Sequence, residues 1–85
     1  MKNAGIQFRP VTTEKAVMLV ERDNVLTFIV SMRYSKDQIK EQFEQVFDVK
    51  IKKVRTLNHD NKKYAYIQLK KEFPAIDLAT KMGVI

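Results

Sequence analysis

Hydrophobic residues along the chain recur with two periods, near two and near 3.6, and the changes between them mark out the elements. The stretch "VLTFIVSM" (residues 25–32) reads as a strand: Leu26, Phe28 and Val30 share one face, while Val25 and Ile29 make the other face apolar too. A strand apolar on both faces is expected to be covered on both. In "SKDQIKEQFEQVF" the period lengthens. Ile39, Phe43, Val46 and Phe47 form a helical stripe, and Ser35 with Gln38 has the spacing of a capping box. Lys40 and Glu44 stand four apart on this helix, spaced for an ion pair.

Period two returns at Val49 and Ile51, but Val54 breaks the parity, which a bulge near Lys52-Lys53 restores. "NHDN" (residues 58–61) has turn chemistry. In "YAYIQLK" Ala65, Ile67 and Leu69 point one way, and Tyr64, Tyr66, Gln68 and Lys70 the other. The segment "FPAIDLATKMG" predicts a helix with Pro74 at its first position, Gly83 as its stop, and Ala75, Leu78, Ala79 and Met82 as its buried stripe.

The first third of the chain carries weaker signals. Ile6 and Phe8 have strand spacing ahead of Pro10. Asp23-Asn24 reads as a turn. In "VTTEKAVMLVERDN", Thr12 or Thr13 offers an N-cap and Glu14 an acid in the first turn, although the run "AVMLV" also fits a strand. Taken as a helix, it gives the order strand, helix, strand, helix, hairpin, helix. That order predicts an α+β fold: one small domain over residues 1–85, an antiparallel sheet of three to four strands packed with helices.

Composition narrows the class. Eighty-five residues, 45% of them hydrophobic, with two Gly and two Pro, suit one core rather than a linker. With no Cys there are no disulfides and no thiolate chemistry, so a reducing, cytoplasmic setting is expected. The runs "AVMLV" and "FIV" fall far short of the roughly 20 residues of a membrane span, and no charged-then-apolar leader is seen. Neither membrane insertion nor secretion is expected.

Charge changes the picture most. Residues 50–71 hold eight Lys or Arg against one acid, Asp60, whereas the rest of the chain holds eight against nine. Like charges so concentrated repel one another and oppose folding. A polyanion is the partner that relieves this, because each phosphate neutralised releases counterions. The hairpin would form the platform. Lys50, Lys52, Lys53, Lys62 and Lys63 serve as point charges, and Arg55 can engage phosphate bidentately. Thr56, Asn58 and His59 add hydrogen bonds to phosphate or ribose hydroxyls, with Arg9 and Lys15 as outlying cations.

Catalytic chemistry finds little purchase. His59 is the lone imidazole and lies in a turn without a Cys, so neither a metal site nor a general base is expected there. The two glycines, Gly5 and Gly83, sit near opposite ends, so no glycine-rich phosphate loop exists and no cofactor is implied. An acylphosphatase-like enzyme would need Arg9 or Arg55 with Asn58, and no further motif supports that pairing. "KKYAYIQL" approaches the signature of RNA-recognition motifs, in which Tyr64 and Tyr66 would stack on bases of single-stranded RNA in a regulatory protein. Lys63 replaces that signature's glycine, however, and the strand expected after the last helix is missing. The other reading packs both tyrosines beneath a helix.

Four stretches together resemble the L-twenty-three proteins of the large ribosomal subunit in their short archaeal-type form. They are "TEKA" (residues 13–16), "DNVLTFIV" followed by "SKDQIKEQFEQVFDVKIKKV", "TLN" with "KYAYIQL", and the closing "DLATKMGVI". The likeness spans roughly residues 10–85. It implies an α/β sandwich-like domain, monomeric within the ribosome, that binds large-subunit ribosomal RNA beside the polypeptide exit tunnel, among neighbouring ribosomal proteins and without catalysis. It also implies a surface for signal recognition particle or other exit-tunnel factors, to which Thr13 and Glu14 of the "TEK" motif would belong. Arg55 stands where many members have Asn. The short turn excludes the long tunnel-reaching loop of bacterial-type members.

Overall fold

A computed structural model describes residues 5–84. Ile85, the last residue of the closing motif, lies outside the described residues. Seven elements follow in the order β1 (Arg9–Pro10), α1 (Glu14–Asp23), β2 (Val25–Val30), α2 (Lys36–Phe47), β3 (Ile51–His59), β4 (Lys62–Leu69) and α3 (Ala75–Lys81). The strands form one antiparallel sheet in the order β1-β2-β4-β3. This is the α+β architecture expected from the pattern, with four strands.

Local chemistry sets the helix ends. Thr13 is the N-cap of α1, its hydroxyl accepting the Ala16 N–H at 3.2 Å. Ser35 and Gln38 close the expected capping box on α2 through reciprocal bonds of 3.3 and 2.9 Å. Gly83 ends α3 in the left-handed region at φ +76°, where paired bonds from Gly83 N–H to Thr80 C=O and from Val84 N–H to Ala79 C=O satisfy the last turn. The hairpin is tighter than the sequence suggested. β3 runs on to His59, and only Asp60 and Asn61 remain as loop, both at positive φ as a type I′ turn requires.

The core forms where three helices meet one face of the sheet. Leu26, Phe28 and Val30 of β2, Ala65, Ile67 and Leu69 of β4, and Ile51 of β3 cluster with Val20, Ile39, Phe43, Ala75, Leu78 and Ala79 from the helices. Each large side chain buried here contributes about 1.5–3 kcal/mol. Phe8 adds an aromatic lid, edge-on to Phe28 and Phe43 at 5.6 and 5.2 Å between centroids, while Phe47 lies 4.5 Å from Phe43. This grouping turns α2 toward Phe47 and leaves Val46, expected in the core, 58% exposed.

Other expectations shift for physical reasons. Glu44 does not pair with Lys40 among the described residues; its carboxylate instead accepts the Ile51 N–H at 2.9 Å, holding the start of β3 against α2. The strand expected over residues 25–32 ends at Val30, because Ser31 and the turn at Met32-Arg33 lead directly into the Ser35 cap. At the amino end, sheet pairing falls on Arg9–Pro10 rather than on Ile6 and Phe8, whose side chains sink into the core. Pro74 is the N-cap of α3 rather than its first helical residue, and it makes no side-chain cap.

Asn24 supplies the missing cap. Its Oδ1 accepts the Ala75 N–H at 2.6 Å, and its Nδ2 shares two hydrogens among the carbonyls of Leu69, Lys70 and Phe73 at 3.1–3.3 Å. Asn24 itself is left-handed, at φ 59°, and its N–H caps α1 through Leu19. It therefore ties the end of α1 and the start of β2 to the end of β4 and the start of α3. Asn24→Ala removes these bonds and places a residue without a side-chain cap at positive φ; it is expected to lower stability by about 3 kcal/mol in urea unfolding. A loss under about 0.5 kcal/mol would contradict this role.

Candidate nucleic-acid interface

In an antiparallel sheet, residues directly opposite one another share a face. Since the helices occupy the face of Leu26, Ala65 and Ile67, the other residues of each strand project from the reverse side. Successive rows can be read across it. One runs Arg9, Ile29, Tyr64, Leu57; the next runs Thr27, Tyr66, Arg55; the last runs Val25, Gln68, Lys53. His59 and Lys62 sit opposite one another at the hairpin end. Among the described residues no helix contributes to this face, and neither tyrosine belongs to the helix-packed core. Tyr64 and Tyr66 therefore do not lie under a helix. The second face of β2, expected to be covered, is largely so: Val25 and Thr27 are buried and Ile29 half-buried, opposite Gln68, Tyr66 and Tyr64.

The bulge at Lys52-Lys53 is present and sets both lysines opposite Gln68. From there Lys53, Arg55, Leu57 and His59 follow along β3 at intervals of about 6.8 Å. All four are exposed. The Arg55 guanidinium lies over the Tyr66 ring, 5.8 Å from its centroid, so one polar and one stacking group form a joint surface. Among the described residues, no carboxylate lies within ion-pair distance of Lys50, Lys52, Lys53, Arg55, Lys62 or Lys63. His59 alone contacts an acid, Asp60, at 3.2 Å. A row of unpaired cations beside half-buried aromatic rings can hold phosphates and stack bases at once.

The fold does not bring every nominated residue to this face. Thr56 and Asn58 project from the opposite side, across from Ala65 and Lys63. Lys63 Nζ donates to the Tyr34 carbonyl at 2.6 Å, anchoring β4 to the loop before α2, so its charge has structural work. Lys50 precedes β3 and is exposed. Thr13, Glu14 and Lys15 begin α1 just beyond β1, at the sheet edge remote from β3, three strand spacings or roughly 14 Å away.

Sequence reasoning missed Arg33. The Tyr34 hydroxyl accepts from its guanidinium at 3.1 Å and holds its pKa above the ordinary value, and the guanidinium also sits 5.1 Å from the Tyr34 ring centroid. Adjacent Arg and Tyr in a turn carry no periodic signal, so only the folded loop reveals the pair.

No group of three or more His, Cys, Asp or Glu among the described residues is placed to hold a metal ion, and no described helix is long and apolar enough to cross a membrane. One comparison with known proteins bears on the chain as a whole. The family model described as Ribosomal protein L23 matches residues 5–76, which takes in all four strands, α1, α2 and the start of α3. The match opens five residues earlier than the likeness read from the motifs and stops short of the closing "DLATKMGVI". With the greater part of its length matched, the chain belongs to the Ribosomal protein L23 family, structural and non-catalytic components of the large ribosomal subunit.

Proposed function

We propose that the chain, acting as one unit, binds large-subunit ribosomal RNA through the helix-free face of its sheet and the adjoining hairpin, near the polypeptide exit tunnel. The observation that carries this reading is a surface of cations without acidic partners among the described residues, arrayed around Tyr64 and Tyr66 on a rigid β platform. Lys52, Lys53, Arg55 and Lys62 neutralise phosphates, Arg9 extends the surface across to β1, and the tyrosines receive bases that the RNA leaves unpaired. Base stacking, which the sequence offered as the mark of a separate regulatory protein, thus becomes part of ribosomal RNA recognition. Thr56 and Asn58, on the other side of β3, reach RNA only where it wraps the hairpin edge.

The start of α1 is a separate surface in this reading. Its place at the far edge of the sheet leaves Glu14 exposed while RNA occupies β3 and β4, and we assign it to docking of signal recognition particle or another factor meeting the nascent chain. Thr13 contributes by holding the first turn, since its hydroxyl is committed to the cap.

Three outcomes follow. Neutralising Lys53, Arg55 or Lys62 singly is expected to lower the salt slope of RNA binding by about one each, measured by filter binding across a salt series; unchanged slopes for all three would remove the platform. Replacing both Tyr64 and Tyr66 by Leu should weaken binding to unpaired RNA by about 1–3 kcal/mol per stacked base. The same variant should change unfolding stability by less than about 1 kcal/mol, and a large stability loss with intact binding would return the rings to a packing role. Glu14→Lys should leave RNA binding unchanged and reduce factor recruitment to reconstituted subunits. Equal recruitment would strip Glu14 of its docking assignment.

A further inference from the structure

At the hairpin end of the open face the sheet gives way to a groove of about 690 Å³. Three cations reach its rim from separate parts of the chain: Arg9 from β1, Arg33 from the turn after β2, and Lys62 from the start of β4. No acidic residue lines it, and among the described residues none of the three cations has a carboxylate partner. Neutral hydrogen-bonding groups, Ser31 and Asn61, stand among them, and Ile29 forms part of an apolar floor.

Two features hold this arrangement in place. The type I′ turn fixes Asn61 at φ 60°, setting it and Lys62 at the groove. Across from them, Lys63 ties the Tyr34 carbonyl to β4 while Tyr34 holds Arg33 by hydrogen bond and ring contact. The groove is also continuous with the face already described, because Ile29 and Arg9 belong to the same row as Tyr64. Its volume falls in the range of about 300–1,000 Å³ typical of small-ligand sites. An acid-free cationic rim over an apolar floor suits a ligand that is anionic at one end and flat and poorly hydrated at the other.

We propose that this groove receives a single unpaired nucleotide, extruded from the RNA that crosses the open face. Its phosphate lies against Arg9, Arg33 and Lys62, and its base rests over Ile29, within reach of Ser31 and Asn61. The inference rests on the reading of the chain as an RNA-binding protein and adds to it a site for one nucleotide. Base pairing occupies the edges and helical stacking the faces that such a site would use, so only an unpaired, unstacked residue can enter.

The test is a titration of the isotope-labelled full chain with nucleoside monophosphates and, separately, with inorganic phosphate, followed by amide chemical shifts, alongside binding of large-subunit ribosomal RNA. Nucleoside monophosphates are expected to shift the Ser31 and Asn61 amides, and Arg33→Gln to weaken that response about tenfold, the equivalent of about 1.4 kcal/mol. Arg33 is exposed and, among the described residues, its side chain is bonded only to its neighbour, so the variant is expected to fold, which its amide spectrum checks directly. Equal shifts from inorganic phosphate would overturn the nucleotide assignment. Absence of any shift, with ribosomal RNA still bound, would overturn the groove proposal alone. Failure of the wild-type chain to bind ribosomal RNA would overturn the wider reading and this inference with it.

Discussion

A single side-chain amide joins parts of the chain up to 51 residues apart: Asn24, through its bonds to the ends of β4 and α3. Its position follows from a constraint on α1. The helix must stop and reverse into β2 within one residue, which demands a left-handed backbone that Asn tolerates better than most residues. Once there, the amide faces the loop before α3, whose first N–H has no cap of its own because Pro74 offers no side-chain acceptor. One residue thus ends one helix, begins another and fixes the far end of β4. With both terminal helices held at this corner, α1, α2 and α3 all contribute to a core on the same face of the sheet.

The open face is the consequence. Three helices on one side and none among the described residues on the other leave β2, β4 and β3 with a surface that neither solvates fully nor closes on itself. Tyr64 and Tyr66 occupy its middle, and cations line the β3 edge. Such a surface gains little within the isolated chain, since among the described residues its Lys and Arg side chains lack carboxylate partners and repel one another. It gains much from a polyanion that is flat in places and charged in others. A polyanion bound there, as proposed, would stabilise the native state by RT ln(1 + [L]/Kd) and so offset the concentration of charge.

Some residues nominated for recognition carry structural duties as well. Lys63 secures the loop before α2, and Thr13 secures the first turn of α1. Glu44 shows the converse. Placed by the sequence in a surface ion pair, it serves as a cap for the backbone of β3, an exchange that favours a partly buried bond over an exposed one worth a few tenths of a kcal/mol. Substitutions at such positions act on folding and on binding together.

Much of this was legible along the chain. Strict periodicity located β2, α2 and β4. The Ser35-Gln38 box marked a helix start, and the parity break at Val54 announced the bulge at Lys52-Lys53. The surplus of Lys and Arg pointed to a polyanion as partner, because charge density needs no fold to be counted. These features are local, set by neighbours within a few residues. Other features depended on segments distant in sequence: which face the helices cover, hence the freedom of Tyr64 and Tyr66; the rotation of α2 that exposes Val46; the four-way clasp of Asn24; and the meeting of Arg9, Arg33 and Lys62 around one groove. Alternation gives a strand two faces without saying which is covered, and a lone Arg in a turn has no partner until strands from elsewhere arrive beside it.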